Sequence, residues 1–360
     1  MPEKSLKAGT KTKISNVGLP AVVLTKAGKL AAAAIIYIVF AIYLYQPYLK
    51  NFGPAHCSYV LLIFSAAAGS FGCLLLSRRW VGSLAGSFLA GAIFGFGPFM
   101  LGLSRFHPSV SILAAAVPWL LLPASLIQKR KWRFLLIALS LLPFLAIIIF
   151  FQLASFYHFY PVPLQVKLTP ADLLGIAWPL AAAEKNLNTI GFYHIAPAAM
   201  IIGILLMIQA RRGGTFLILA AGVAASFFPP FLNISPIIWF AIPAACLAVL
   251  AGVGIEALAL AGAADKKWIL LIILFFLVLS GLSFLAAQGH IQLPAALLPI
   301  NIALFNYTVR IYLLGAAVSI LIFAIVRSRM RFVIIRRIML FAAIIVDIFF
   351  GAQFIISKIL

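Results

Sequence analysis

GFGPFMLGLSRFHPSVSIL, residues 95–113, sets the turn Ser104-Arg105-Phe106-His107-Pro108 between two runs that are otherwise almost wholly apolar. Helices apolar on every side, joined by so short a turn, read as membrane spans rather than as a soluble hairpin. Pro108 suits the first turn of the second helix, where a missing N–H costs nothing. Outward from this stretch the composition agrees. Hydrophobic residues make up 65% of the chain and charged residues 9%, against about a quarter charged in soluble domains. Apolar runs of about 18–25 residues, enough to cross about 30 Å of hydrocarbon, recur along the 360 residues. The sequence therefore predicts an all-α, polytopic transmembrane bundle of about eleven spans: 30–46, 56–76, 81–102, 109–127, 134–156, 191–209, 215–232, 236–260, 268–286, 308–326 and 338–357. Residues 1–28 read as a basic, disordered cytoplasmic tail and 29–360 as one transmembrane domain.

The basic residues fix a predicted orientation. With the amino terminus inside, the cytoplasmic side receives the tail lysines, Arg78-Arg79, Lys129 to Arg133, Arg211-Arg212, Lys266-Lys267 and the cluster from Arg327 to Arg337. Of the 27 Lys and Arg, only Lys50, Arg105, Lys167, Lys185, Arg310 and Lys358 fall outside. This is the positive-inside pattern of an inner (plasma) membrane protein. It also accounts for the net charge of +21 through contact with anionic headgroups, without a nucleic-acid partner. Lys26 and Lys29 before LAAAAIIYIVFAIYLY mimic a signal peptide, but no small-residue cleavage site follows, so the segment reads as a retained anchor. Cys57, Cys73 and Cys246 lack metal-ligand spacing and read as packing residues. Neither a metal nor a cofactor is expected. Gly82, Gly86, Gly91 and Gly95 in the third span form a small-residue face for close helix packing.

On this threading all five histidines lie at the outer face: His56, His107, His158, His194 and His290. The longest outer connection, 157–190, contains LTPADLLGIAWPL. Thr169 is its expected N-cap, Pro170 the first helical residue and Asp172 the side chain reaching back. A short helix lying on the outer surface, or dipping among the outer helix ends, is the expectation. Two carboxylates fall within the membrane region. Glu256 sits near the cytoplasmic end of its span, within reach of Lys266. Asp347, in FAAIIVDIFFGAQF, falls mid-span, where an unpaired charge costs several kcal/mol, so a partner on another helix or another chain is expected.

Three pieces in order carry a family resemblance: the region 60–127 with Ser77-Arg78-Arg79, GFGPFMLGLSRFHPS and Pro118-Trp119; then LTPADLLGIAWPL with GFYHIAPAAMIIGILLMIQARR; then FFPPFLNISPIIWFAIPAACLAVLAGVGIEAL. Together they resemble the multi-pass membrane glycosyltransferases of the C-type fold and the large bacterial membrane proteins related to them, over about 60–260. The resemblance implies transfer of a sugar from a polyprenyl-phosphate carrier on the outer face, with carboxylates in the outer loops. The first outer loop, YQPYLKNFGPAH, has no acidic residue, and the next turn offers Arg105 and His107 instead. Asp172, Glu184 and His107 are then the candidate catalytic groups, and Arg105 with His107 the candidate phosphate or lipid site. The missing acids favour a non-catalytic membrane subunit on that scaffold, packed with other membrane subunits and binding lipid. The alternatives are the active glycosyltransferase and, from Asp347 alone, a proton-coupled transporter.

Overall fold

The computed structural model describes residues 26–49, 56–103, 108–127, 132–157, 168–185, 187, 190–210, 213–230, 232, 234–291, 302–328 and 332–359. The fold is a helical bundle. Its helices, numbered in chain order, are α1 Lys26–Leu49, α2 His56–Ser77, α3 Leu84–Gly95, α4 Pro98–Leu103, α5 Pro108–Leu126, α6 Arg133–Ser140, α7 Leu142–Tyr157 and α8 Leu174–Ala177. They continue with α9 Pro179–Glu184, α10 Ala196–Gln209, α11 Gly213–Phe227, α12 Pro236–Trp239, α13 Ala241–Leu260, α14 Lys266–Ala287, α15 Ile302–Arg327 and α16 Val333–Ile359. Among the described residues, nine helical stretches are long and apolar enough to cross a membrane, with α3–α4, α6–α7 and α12–α13 each forming one stretch. This is a multi-pass membrane protein.

The two remaining predicted spans, 191–209 and 215–232, fall on α10 and α11, which have only 14 and 15 residues. At 1.5 Å per residue each covers about 21–23 Å, short of the hydrocarbon thickness. Pro197 near the start of α10 and Pro229-Pro230 beyond α11 limit both helices. The buried, non-helical segment Ile190–Ile195 precedes α10 in the interior. Because the two short helices follow one another, the sidedness of every later loop is the same if both cross or neither does.

Lipid-facing apolar side chains replace a polar surface. Ile35, Val39, Phe134, Ile149, Leu274 and Ile334 are all exposed. The interior is built on close backbone approach at small residues. A side chain at Gly95 would collide with the Ala66 carbonyl and with Ser70 of α2, and one at Gly86 would press on the Gly252 carbonyl of α13. Gly82 is not part of that face. It lies in the α2–α3 turn with open space around it, and its carbonyl accepts from Arg78 Nη1 at 3.3 Å. A second such crossing joins α10 to α13, where Gly203 abuts the Leu250 carbonyl and Gly254 the Ala199 carbonyl. Helix α16 lies along α13, α15, α9, α4, α3 and α1. All three ion pairs among the described residues have one partner on it.

Candidate functional site

Asp347 is 1% exposed, and its partner is in the same chain. Its Oδ1 lies 2.9 Å from His194 Nδ1, and its Oδ2 accepts from the Ile195 backbone N–H at 2.8 Å. Helix α10 begins at Ala196 with no side-chain cap of its own, so the carboxylate of α16 satisfies a donor at its amino-terminal end. A negative group is favoured there by the helix dipole. His194 Nε2 lies 3.3 Å from Thr308 Oγ1 of α15, completing a hydroxyl–imidazole–carboxylate chain across three elements. Tyr312 and Tyr307 pack edge-on to the imidazole, at 5.3 and 6.1 Å between ring centres. Tyr312 Oη donates to the Ala177 carbonyl, and Tyr193 Oη donates to the Phe96 carbonyl at 2.8 Å. The 190–195 segment is thus tied to α4's entry turn, α15 and α16, and Tyr312 links α15 to α8.

Such an ordering of hydroxyl, imidazole and carboxylate resembles a nucleophile relay, but its burial decides otherwise. His194 is 0% exposed and Thr308 2%. The neighbouring void, lined by Ile195, Ala198, Phe276 and Ile344 among others, holds only about 10 Å³. A single water needs about 10–15 Å³ and two or more polar partners, so this void beside Ile195 has no room for a substrate. The cluster ties helices together. An outside subunit is not required to satisfy Asp347, which removes that part of the case for a partner chain.

The other predicted residues separate. Arg105 and His107 lie outside the described residues, as does His158. Asp172 Oδ2 accepts from the Thr169 backbone N–H at 2.6 Å and from Thr169 Oγ1 at 2.7 Å, the reach-back that the Thr-Pro-Ala-Asp pattern implies. Glu184 Oε2 pairs with Lys358 Nζ at 2.8 Å. The segment between them folds as α8 and α9. Residues Pro179–Ala183 of α9 are buried against α16, α15 and α4, so this connection dips among the helix ends instead of lying on the surface. Glu256 pairs with Arg337 Nη2 at 2.6 Å, not with Lys266, and accepts from Ser83 Oγ, the N-cap of α3. Among the described residues no group of three His, Cys, Asp or Glu is placed to hold a metal. His194 and Thr308 are the partners that the sequence left unassigned. The one available signal was a histidine just before Ile195-Ala196-Pro197, a helix start with no Ser, Thr, Asp or Asn to cap it.

The large cavity shares no residue with this cluster. It measures about 1040 Å³, at or above the top of the roughly 300–1,000 Å³ typical of small-molecule pockets. Its walls are almost entirely apolar, among them Trp80, Leu121, Ile137, Phe144, Met207 and Leu217. The polar side chains Ser125, Ser140, Gln209 and Thr215 also line it. The hydroxyls of Ser125 and Ser140 are occupied by their own helices, donating to the Leu122 and Leu136 carbonyls. The cavity exists because α6–α7 packs on α5 while α11 packs on α12 and α13, leaving the two outer walls apart. Among the described residues the walls meet at one end. There Gln152 Nε2 of α7 donates to the Leu232 carbonyl at 2.8 Å, and Phe144 stacks on Trp239 at 5.8 Å. At the other end Ile137, Leu141 and Leu217 are about half to two-thirds exposed while still lining the space, so it opens sideways between α6 and α11.

No family model, curated protein or solved structure matches this chain.

Proposed function

We propose that this chain is a non-catalytic integral membrane protein that holds a lipid in the cavity between α6–α7 and α11, on a scaffold resembling the C-type glycosyltransferases. It is inserted in the inner membrane with its amino terminus cytoplasmic, and it serves as a component of a larger membrane assembly. One observation carries the proposal: a laterally open, apolar space of about 1040 Å³ between helices of membrane-spanning composition. Such a space facing the bilayer does not stay vacant, because lining atoms without neighbours forfeit their dispersion contacts. An acyl chain is the filler at hand.

Structural partners for the described carboxylates weigh toward this reading over glycosyl transfer and proton-coupled transport, while His107 lies outside the described residues. Asp172 and Glu184, the outer carboxylates available for glycosyl transfer, are held by a turn and by Lys358. Asp347, the residue on which proton-coupled transport rested, is buried and paired with His194. The test is purification in mild detergent, solvent extraction and quantitative lipid mass spectrometry, on the wild type and on the combined variant Ala221→Trp/Leu217→Trp/Ile137→Trp, which narrows the cavity from both walls. A stoichiometric lipid retained by the wild type and lost from the folded variant is expected. Equal lipid in both would sink the proposal.

A further inference from the structure

We infer that the occupant is an anionic glycerophospholipid taken from the leaflet on the basic side of the protein, headgroup at the open end and acyl chain pointing inward. This rests on the lipid-holding reading above. The direction follows from how the two walls are joined. The Gln152–Leu232 hydrogen bond and the Phe144–Trp239 stack close the cavity at one end. The open end is formed by the last turns of α2, α5 and α10 and the first turns of α6 and α11.

The same end carries positive charge. Arg78 and Arg79 are exposed at the end of α2, immediately before Trp80, whose ring lines the cavity. Trp80 is placed as an interfacial aromatic, with its apolar body in the cavity and the adjacent arginines at headgroup height. Gln209 and Thr215 supply neutral hydrogen-bonding groups across the mouth. Exposed arginines just before a lining tryptophan in sequence, Arg78 keeping further N–H donors beyond the one given to the Gly82 carbonyl, match a phosphate diester with a fatty chain better than a neutral lipid or an apolar helix.

The depth agrees. From Leu136 to Phe144 along α6–α7 is about 12 Å at 1.5 Å per residue. That is most of one leaflet, about half of the ~30 Å hydrocarbon core. A chain lying there reaches the bilayer midplane and leaves through the lateral gap. The inner wall, formed by Cys246, Val249, Leu250 and Val253 of α13, offers no polar side chain that a second headgroup would need.

The test reconstitutes the full chain in nanodiscs of mixed phosphatidylglycerol and phosphatidylcholine, re-extracts it in mild detergent and measures the retained lipid by mass spectrometry. Phosphatidylglycerol should be enriched over the nanodisc composition. The enrichment should fall about fivefold for each of Arg78→Gln and Arg79→Gln, from roughly 1 kcal/mol per basic residue at an anionic surface, while total retained lipid stays constant. Retention without enrichment, or enrichment that the two variants leave unmoved, overturns the charge and leaflet assignment and leaves lipid holding intact. No retained lipid in the wild type overturns lipid holding itself. A co-purifying polypeptide in place of lipid would assign the slot to a protein helix and overturn both.

Discussion

Replacing Asp347 with leucine should destabilise the bundle by about 2–4 kcal/mol, whereas asparagine should cost about 1 kcal/mol or less. The aspartate satisfies two buried donors, or one donor and a tautomer-dependent nitrogen: the Ile195 N–H at 2.8 Å and His194 Nδ1 at 2.9 Å. Leucine strands both. Two unsatisfied buried groups at about 1–3 kcal/mol each set a ceiling of about 6 kcal/mol. Hydrogen bonds between membrane helices average nearer ~0.6 kcal/mol, because the unfolded helices find other partners in the bilayer, and this pulls the expectation down. Asparagine keeps an acceptor for the Ile195 N–H, and its amide can donate to His194 Nδ1. His194 Nε2–H then donates to Thr308 Oγ1, so every group in the chain keeps a partner. The assay is unfolding in mixed micelles with increasing SDS, followed by tryptophan fluorescence, for Asp347→Leu, Asp347→Asn, His194→Ala and the double variant Asp347→Leu/His194→Ala. The two single truncations should be strongly non-additive, because each breaks the same contact. Additive losses, or a leucine variant within about 0.5 kcal/mol of wild type, would show that the pair does not hold the outer end together.

Gly254→Val should prevent stable folding, since its added atoms meet the Ala199 carbonyl where α10 crosses α13; gel filtration after detergent extraction would show aggregate in place of a monodisperse peak. Gly82→Ala, with open space around it, should elute as wild type in the same experiment. Glu184→Gln should change stability by less than about 1 kcal/mol in the SDS titration, because its partner Lys358 is 42% exposed and the pair is screened. A cysteine at Gln288, exposed beyond α14, should react with a membrane-impermeant thiol reagent in intact cells; labelling only after permeabilisation would reverse the proposed orientation.

Hydropathy made the bundle legible, because a span must be apolar over nearly its whole length whatever it packs against. The lengths of α10 and α11 were less legible. Their predicted spans took in residues 191–195 and ran past Pro229-Pro230, and the prolines were the one local sign that the helices stop short of those bounds. The need of Asp347 for a partner could be read from its surroundings, but the partner itself could not. His194 and Thr308 are 153 and 39 residues away in sequence, and nothing local announces that they converge. The Thr169–Asp172 contact was local and therefore visible, but it closes a turn and not the helix expected from Pro170, since α8 starts only at Leu174 without a side-chain cap. The cavity left no trace in the sequence. Its walls are leucines, isoleucines and alanines like those of any span, and it arises from which helices fail to touch.

The most direct test is photolabelling in proteoliposomes doped with a phosphatidylglycerol that carries a diazirine in one acyl chain, with the adducts mapped by mass spectrometry. A lipid-filled cavity predicts adducts concentrated on its lining residues in 136–144 of α6–α7 and 214–221 of α11, suppressed in Ala221→Trp/Leu217→Trp/Ile137→Trp. Adducts spread evenly over the exposed faces of α1 and α14, and unchanged in that combined variant, would contradict it.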